Sequence, residues 1–199
     1  MENRSLLIHT CCAPCVSHVY ELFANTHYVS VFYYNPNIWP RPEYDRRLAE
    51  LVRYAVYRGF ALFVGDYDNR GWTGRTKKYR YLGERSERCW ECYRYRLEGS
   101  FKKAREMGIT SVTTSLSISP HKDAAMINRI GKELEEKYGI RFLEGDYKKN
   151  DGYRKSVELS RIHGFYRQNY CGCIYSKMER EGDPAWKRRV DQSLHRISS

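Results

Sequence analysis

The segment LLIHTCCAPC, residues 6–15, joins a short apolar run to three closely spaced cysteines. Residues 6–10 predict a buried strand, because a short apolar run that ends in turn-forming residues is typical of one. The cysteines and the proline predict a turn, and a helix is expected from about Val16 to Ala24. A strand that passes through a turn into a helix is the opening unit of an α/β fold.

Strands and helices continue to alternate after this unit. Four more strands are predicted, at residues 29–34, 61–64, 111–114 and 141–143. The intervening helices are expected to begin at Pro42, near Cys89 and near Lys122, and to end at Gly59, Gly108 and Gly139. Strands that alternate with helices usually pair in parallel, so the sequence predicts a doubly wound, mainly parallel α/β sheet. Ligands of such sheets bind beyond the carboxyl ends of the strands, where the first cysteines are expected to lie.

We expect a single domain over residues 1–199. This length is enough to bury a hydrophobic core without disulfide or metal cross-links. The sheet is expected to occupy residues 1–147, and residues 148–199 are expected to form a helical, basic tail that packs on the active site. Within the tail, helices are predicted at residues 152–164 and 184–194.

The composition indicates a soluble protein with a polyanionic partner. No apolar run reaches the roughly 20 residues of a membrane-spanning helix, and the first residues lack the features of a signal peptide, so a cytoplasmic location without membrane contact is expected. Lys and Arg outnumber Asp and Glu by 35 to 24, a net charge of +11. This excess favours nucleic acid as the partner, although a protein that is basic only for solubility would show it as well. Eighteen tyrosines, many beside Arg or Lys, would offer stacking faces for unpaired RNA bases.

All seven cysteines fall in three groups, at residues 11–15, 89–92 and 171–173. In a reducing compartment such grouping indicates metal binding or redox catalysis and argues against structural disulfides. The spacing of the second group puts both of its thiols on one face of a first helical turn, where the helix dipole is expected to lower their pKa. Spacing alone suits zinc and an iron–sulfur cluster about equally. Adjacent cysteines at 11 and 12, however, fit a multi-iron cluster better than a single tetrahedral ion.

Four strings carry a resemblance to a known family: CCAPC at 11–15, RCWECYRYRL at 88–97, DYKK at 146–149 and YRQNYCGC at 166–173. Together they resemble the QueH-type epoxyqueuosine reductases, and they span nearly the whole chain. The resemblance implies a sheet of the nucleotide α-hydrolase (HUP) type. It also implies an oxidoreductase that reduces epoxyqueuosine to queuosine at the wobble position of tRNA.

The resemblance further implies roles for the cysteines. Four thiolates would hold a 4Fe-4S cluster, namely those of Cys11, Cys12, Cys89 and Cys92. Cys171 and Cys173 would form a redox-active or metal-binding pair, with Asp146 as a further catalytic candidate. Two roles for the pair stay open. A disulfide across one residue closes a strained, readily reduced ring suited to catalysis. The alternative is a second, mononuclear iron, whose ligands would be Cys15, Cys171, Cys173 and Asp146.

Other cofactors are not expected. Relatives with this type of sheet carry a glycine-containing phosphate loop after the first strand, and residues 10–15 lack those glycines, so ATP use is disfavoured. No cobalamin-binding or dinucleotide-binding signature is visible, so electrons would come from an external donor such as a ferredoxin or flavodoxin. Two other functions stay open: a cluster-dependent tRNA thiolase, which would need ATP or another activation route, and a non-catalytic zinc module that binds RNA.

Five residues are candidates for binding the substrate: Ser117, His121, Arg154, Arg167 and Gln168. Ser117 and His121 follow the fourth predicted strand, where related folds bind substrate, although loop and cap hydrogen bonds would explain them nearly as well. The other three lie near the tail cysteines, and an exposed basic face is the competing explanation.

Overall fold

The structure is a computed structural model, and it describes residues 4–195, with the side chains of residues 4–192. The described strands are β1 (Ser5–Thr10), β2 (Tyr28–Tyr33), β3 (Ala61–Val64), β4 (Ser111–Thr114) and β5 (Arg141–Phe142). The described α-helices are α1 (Ala13–Phe23), α2 (Arg41–Arg58), α3 (Asn69–Thr76), α4 (Glu87–Glu106), α5 (Ala124–Tyr138), α6 (Gly152–Ile162), α7 (Ile174–Glu181) and α8 (Pro184–His195). Two short 3-10 helices follow α3 and β4, at Lys77–Tyr79 and Ser115–Ile118.

The five strands form one parallel sheet in the order β3-β2-β1-β4-β5. β1 lies in the centre and pairs with β2 and with β4. Residues 6–10 of β1 are buried, because a central parallel strand is covered on both faces, and this explains its uninterrupted apolar run. The chain builds the sheet outward from β1 in one direction and then restarts at β4 in the other. The carboxyl ends of β1 and β4 therefore border the crevice where α/β sheets of this kind bind ligands.

Helices cover both faces of the sheet. α1 and α2 pack together, and α4 and α5 pack together, with the two pairs on opposite faces, as right-handed crossovers require. α6 packs against α1. The predicted doubly wound α/β fold is thus confirmed. No helix within residues 4–195 is long and apolar enough to cross a membrane.

The predicted boundaries agree best where the sequence carries a strong stop signal. α2 and α5 end at Gly59 and Gly139, and both glycines adopt left-handed backbone angles, with φ of 72° and 66°. β3 and β4 have their predicted limits. The sequence did not predict α3 and α7, which have eight residues each.

A second, smaller core joins α3, α7 and α8. Its buried members are Trp72, Cys92, Cys173, Tyr175 and Trp186. The predicted tail helices are present as α6 and α8, and the last four residues of the predicted tail, 196–199, lie outside the described part of the chain.

Candidate metal centre and substrate cavity

Three cysteine sulfurs meet where β1 ends and α1 begins. The Sγ atom of Cys11 lies 3.7 Å from that of Cys12 and 3.5 Å from that of Cys15, and all three thiols are buried within 4.8 Å of one another. Cys12 is the N-cap of α1, with Pro14 in the first turn, so Cys15 is carried by that same turn. Thiols this close together can share one metal ion or iron–sulfur cluster.

Polar contacts fix this loop at the crevice. Thr10 Oγ1 donates a hydrogen bond to the Cys12 carbonyl at 3.1 Å and lies 2.8 Å from Ser115 Oγ. Asn35 Nδ2 donates to the Thr10 carbonyl at 2.8 Å, and Asn35 Oδ1 accepts a hydrogen bond from Arg96 Nη2 at 2.5 Å. Residues that follow β1, β2 and β4, together with α4, therefore hold the cysteine loop in one position.

The other four cysteines come from α4 and from the start of α7. Cys89 and Cys92 lie in the first two turns of α4, and Cys173 is the N-cap of α7. Cys92 and Cys173 belong to one buried core, and Cys89 and Cys171 line the same cavity. We call Cys11, Cys12 and Cys15, whose sulfurs lie within 4.8 Å of one another, the first group, and the other four cysteines the second group.

Gly172 allows the tail cysteines to reach this position. Its φ of +124° is unfavourable for other residues, and an added Cβ would lie 3.1 Å from both Arg47 Nη1 and Ile38 Cγ1. The Gly172 carbonyl accepts a hydrogen bond from the Trp39 amide at 2.8 Å. Arg47 Nη1 also donates to the Cys171 carbonyl at 3.4 Å. The loop is therefore held against the segment that follows β2 and against α2.

Four buried cations surround the sulfurs: Arg47, Arg88, Arg96 and Lys122, none more than 8% exposed. Within the described residues, Nη2 of Arg47, Nε and Nη2 of Arg88 and Nε of Arg96 have no hydrogen-bond partner. A buried donor without an acceptor is destabilising. Arg47 and Arg88 already pair with Glu43 and Glu179, both at 2.7 Å. Thiolates and sulfides of a metal centre would supply acceptors for the nitrogens that remain without a partner. The residues present therefore fit an anionic metal–thiolate group.

Burial dominates the pKa of the cysteines on α4. It raises the pKa of Cys89 to about 12 and also raises the pKa of Cys92. The expectation that the helix dipole lowers these pKa values is wrong, because loss of hydration outweighs the field of the first turn. At Lys122 burial opposes the charge, but the neighbouring Cys171 and Cys11 raise its pKa above the ordinary value. The ammonium group is therefore retained beside the sulfurs.

A cavity of about 310 Å³ opens beside both groups of sulfurs. Cys15 lines it from the first group, and Cys89 and Cys171 line it from the second. Other side chains of its wall are His121, Lys122, Tyr153, Arg167, Gln168 and Tyr170. This volume is at the lower end of that of small-molecule sites, and aromatic, cationic and amide groups converge on it.

Three of the five predicted substrate-binding residues line this cavity, namely His121, Arg167 and Gln168. Gln168 Nε2 also lies 3.4 Å from Cys12 Sγ. Arg167 donates hydrogen bonds to Ser160 Oγ and to the Tyr153 hydroxyl, both at 3.2 Å. Its guanidinium is therefore held in place at the cavity wall.

The other predicted residues lie elsewhere. Arg154 is exposed and pairs with the carboxylate three residues before it. Ser117 is buried and accepts a hydrogen bond from the Tyr147 amide at 3.4 Å. The Asp146 carboxylate lies 2.5 Å from Lys148 Nζ. The cavity lining includes none of Arg154, Ser117 and Asp146, so their substrate-binding and catalytic roles stay predictions.

A protein-family model described as epoxyqueuosine reductase QueH matches residues 6–179. The chain belongs to the QueH family. An epoxyqueuosine reductase QueH of Thermotoga maritima is 40% identical over 182 residues, which are 88% of this chain and 92% of the relative. Those of Histophilus somni and Acinetobacter baylyi are each 37% identical, over 87% and 86% of this chain and 72% and 79% of the relatives. The predicted family and the predicted enzyme class, an oxidoreductase of this kind, are confirmed.

The sequence prediction for this QueH-family site missed the buried cations. A signal for two of them was present, since Arg88, Cys92 and Arg96 recur at intervals of four and therefore share one face of α4. Arginine on the same helical stripe as a metal-binding cysteine indicates a buried countercharge. Lys122 gave no such signal, because it lies in a loop before α5, and only the tertiary structure brings it to the sulfurs.

Proposed function

We propose that the chain reduces epoxyqueuosine to queuosine at the wobble position of tRNA. The reaction removes the epoxide oxygen as water, forms a carbon–carbon double bond and consumes two electrons and two protons. One observation carries the proposal: in a member of the QueH family, Cys15, Cys89 and Cys171 line one cavity together with the buried cation Lys122. Such a site combines a place for redox chemistry with a place for a modified base.

We propose that the cysteines hold a 4Fe-4S cluster, with a second iron as one of the two roles open to the sulfurs that the cluster leaves free. The resemblance assigns the cluster to Cys11, Cys12, Cys89 and Cys92. The close grouping of Cys11, Cys12 and Cys15 also supports a different division, in which these three share a metal and the α4 and tail cysteines would hold another. When bound, a cluster would supply electrons one at a time and an iron ion would supply a Lewis acid.

The chain itself supplies charge and a proton at this site. The guanidinium groups of Arg47, Arg88 and Arg96 offset the negative charge of metal-bound thiolates in a region that water does not reach. Lys122 lines the cavity, where its ammonium can donate a proton to the oxygen that leaves the epoxide.

The remaining cavity residues suit a base that has left the anticodon stack. Tyr153 and Tyr170 line the cavity, and tyrosine rings stack on unpaired bases. Arg167 is fixed in the wall and provides a positive charge for a nearby phosphate. We propose that the modified base enters the cavity while the tRNA backbone contacts the basic surface around it.

Two rival functions, a tRNA thiolase and a zinc module that binds RNA, are less well supported. Residues 10–15 offer no glycine-rich phosphate loop to a thiolase that uses ATP, and a zinc module would not need an adjoining cavity lined by three cysteines. We further propose that the electrons come from a ferredoxin or flavodoxin, since the sequence carries no nicotinamide or flavin motif. A tRNA substrate and seven free cysteines favour the cytoplasm as the compartment.

Metal analysis tests the proposal directly. The chain purified without oxygen is expected to contain iron and acid-labile sulfide, and with dithionite it is expected to convert epoxyqueuosine tRNA to queuosine tRNA. Stoichiometric zinc without labile sulfide would contradict the cluster. Iron and sulfide without conversion of the tRNA would contradict the reaction but not the metal site.

A further inference from the structure

Aromatic rings lie behind the metal-binding cysteines. Trp72, Tyr175 and Trp186 pack with Cys92 and Cys173 in the smaller core. Neither cysteine lines the substrate cavity, whereas three of the other cysteines do. The rings therefore reach the proposed metal centre from a side that the substrate does not occupy.

The rings form a continuous series of packed pairs, here called the stack, between these sulfurs and the surface. The ring centroids of Trp72 and Tyr175 are 5.7 Å apart with planes tilted by 33°, and those of Tyr175 and Trp186 are 5.8 Å apart with planes 15° from parallel. The Trp186 ring in turn lies 5.2 Å from that of Tyr81, tilted by 50°, and the Tyr81 ring is partly exposed. These are the separations of packed aromatic pairs. Because electrons tunnel more readily through packed atoms than across gaps, the stack is a favourable path from Tyr81 to the cysteines.

The outer end of the stack lies between two strongly basic segments. Six exposed cations lie on them: Lys77, Lys78, Arg80, Lys187, Arg188 and Arg189. Arg189 Nη1 donates a hydrogen bond to the Tyr81 hydroxyl at 2.9 Å, and the Arg80 guanidinium lies 4.6 Å from the Tyr81 ring centroid. Among the residues that the structure describes, none of the six cations forms a salt bridge. We call Tyr81 and these six cations the Tyr81 surface, and its charge attracts an acidic partner.

We propose that the Tyr81 surface is the docking site of an acidic one-electron redox protein, and that the stacked rings connect it with Cys92 and Cys173. This inference rests on the proposed function, because it requires a metal centre at the cysteines. For each epoxide, two donor molecules are oxidised by one electron each. The two electrons and two protons release the epoxide oxygen as water and leave a double bond. A separate entry side allows the donor to act while the base fills the cavity.

Charge reversal at two cations tests the docking site. Lys78 and Arg188 are exposed, and Lys78 lies over the ring of Tyr79, which is not one of the stacked rings, so a K78E/R188E variant should fold normally. With a reduced, acidic two-iron ferredoxin as the donor, its rate of epoxide reduction is expected to fall at least about tenfold. Electrostatic attraction raises association rates by about that factor, and the charge reversal removes it. Its rate with dithionite and its Kd for tRNA are expected to stay within about twofold of wild type.

A matched control carries the same charge change at the far end of α4. Lys102 and Arg105 are exposed and lie about 20 Å and about 24 Å along the helix from Cys89, so a K102E/R105E variant should keep the ferredoxin-driven rate. An equal loss in both double variants, or no loss in K78E/R188E, would overturn the proposal. A weaker tRNA affinity in K78E/R188E with parallel losses for both donors would instead assign the Tyr81 surface to RNA.

The ring itself is tested by Tyr81→Leu and Tyr81→Phe. Leu removes the outer ring of the stack and is expected to slow the ferredoxin-driven rate by several-fold, whereas Phe keeps the ring and is expected to leave it unchanged. Equal rates in the two variants would show that the stack is not the path. Titration of the complete chain with oxidised ferredoxin measures docking without turnover. Docking that depends on Lys78 and Arg188 in a chain that does not reduce epoxyqueuosine would contradict the proposed function and leave the docking site standing.

Discussion

Lys122 lies in the cavity wall, and neighbouring thiolates stabilise its charge. Methionine at this position would keep much of the volume and remove the charge. We expect Lys122→Met to lower dithionite-driven epoxide reduction by about ten- to a hundredfold, because the leaving oxygen loses its cation and proton donor. The reduction potential of the metal centre should become more negative, because a nearby positive charge no longer favours the added electron. Turnover and a spectroelectrochemical titration of one anaerobic preparation measure both effects.

The matched variant Lys122→Arg keeps the positive charge, so its metal centre should have a potential near that of the wild type. A methionine variant with unchanged turnover and unchanged potential would show that Lys122 only fills space.

Serine variants of the tail cysteines are expected to change epoxide reduction and metal content differently. If Cys89 and Cys92 are cluster ligands and Cys171 and Cys173 are not, Cys171→Ser and Cys173→Ser should keep iron and labile sulfide while epoxide reduction falls by orders of magnitude. Cys89→Ser is the control and should lose the cluster, because serine is a poor ligand to iron at neutral pH. Loss of sulfide from the tail variants would make them ligands, as the packing of Cys173 with Cys92 in one core allows. Near-normal turnover would remove them from the mechanism.

α5 packs closely against β5 because Gly131 of α5 has no side chain. An ideal Cβ on Gly131 would lie 2.2–2.5 Å from atoms of the Phe142 ring. Alanine normally stabilises a helix relative to glycine, but here it would force the ring or the helix to move. We expect Gly131→Ala to lower the free energy of unfolding by about 1–3 kcal/mol, as measured by urea denaturation.

Gly74 in α3 provides the opposite case, since no atom lies within 4 Å of its added Cβ. Gly74→Ala is expected to raise the free energy of unfolding by up to about 1 kcal/mol, because alanine favours the helix and restricts the unfolded chain. A stabilised Gly131→Ala variant would show that α5 moves away from β5 without cost.

Elements with strong local signals were predictable, and those held by tertiary contacts were not. The apolar run of β1, the β-branched residues of β4 and the glycines after α2 and α5 gave correct strands and helix ends. α3 contains two glycines in eight residues, so its intrinsic helix propensity is low. Packing of Trp72 against Tyr175 stabilises this helix in the folded protein. α7 begins at a cysteine cap, Cys173, whose Sγ accepts a hydrogen bond from the Ser176 amide at 3.4 Å.

The candidate site was predictable in its residue types but not in its grouping. Clustered cysteines pointed to a metal, and that inference needed only the sequence. The position of Cys171 and Cys173 depends on Gly172 and on Arg47. No sign of this was present in the sequence, because Arg47 is 124 residues from Cys171 in the chain. The sign of the pKa shift at Cys89 likewise depends on burial, which a helix position alone does not reveal.

For the whole molecule, the net charge of +11 predicts a binding reaction that depends on salt. Affinity for tRNA is expected to fall at least about tenfold between roughly 50 and 200 mM salt, because each neutralised phosphate releases counterions. Filter binding or fluorescence anisotropy over a series of salt concentrations measures the slope. A flat response would mean that the basic surface does not contact the phosphates.

The sulfurs of the site span the chain from Cys11 to Cys173. During synthesis on the ribosome, the first three cysteines emerge early, whereas Gly172 and the tail pair emerge only after most of the protein has been made. A nascent chain therefore exposes several thiols well before their partners exist. A metal centre that includes the tail pair can assemble only on the nearly complete polypeptide, and a prematurely terminated product that ends before Cys171 would lack two of the seven thiols.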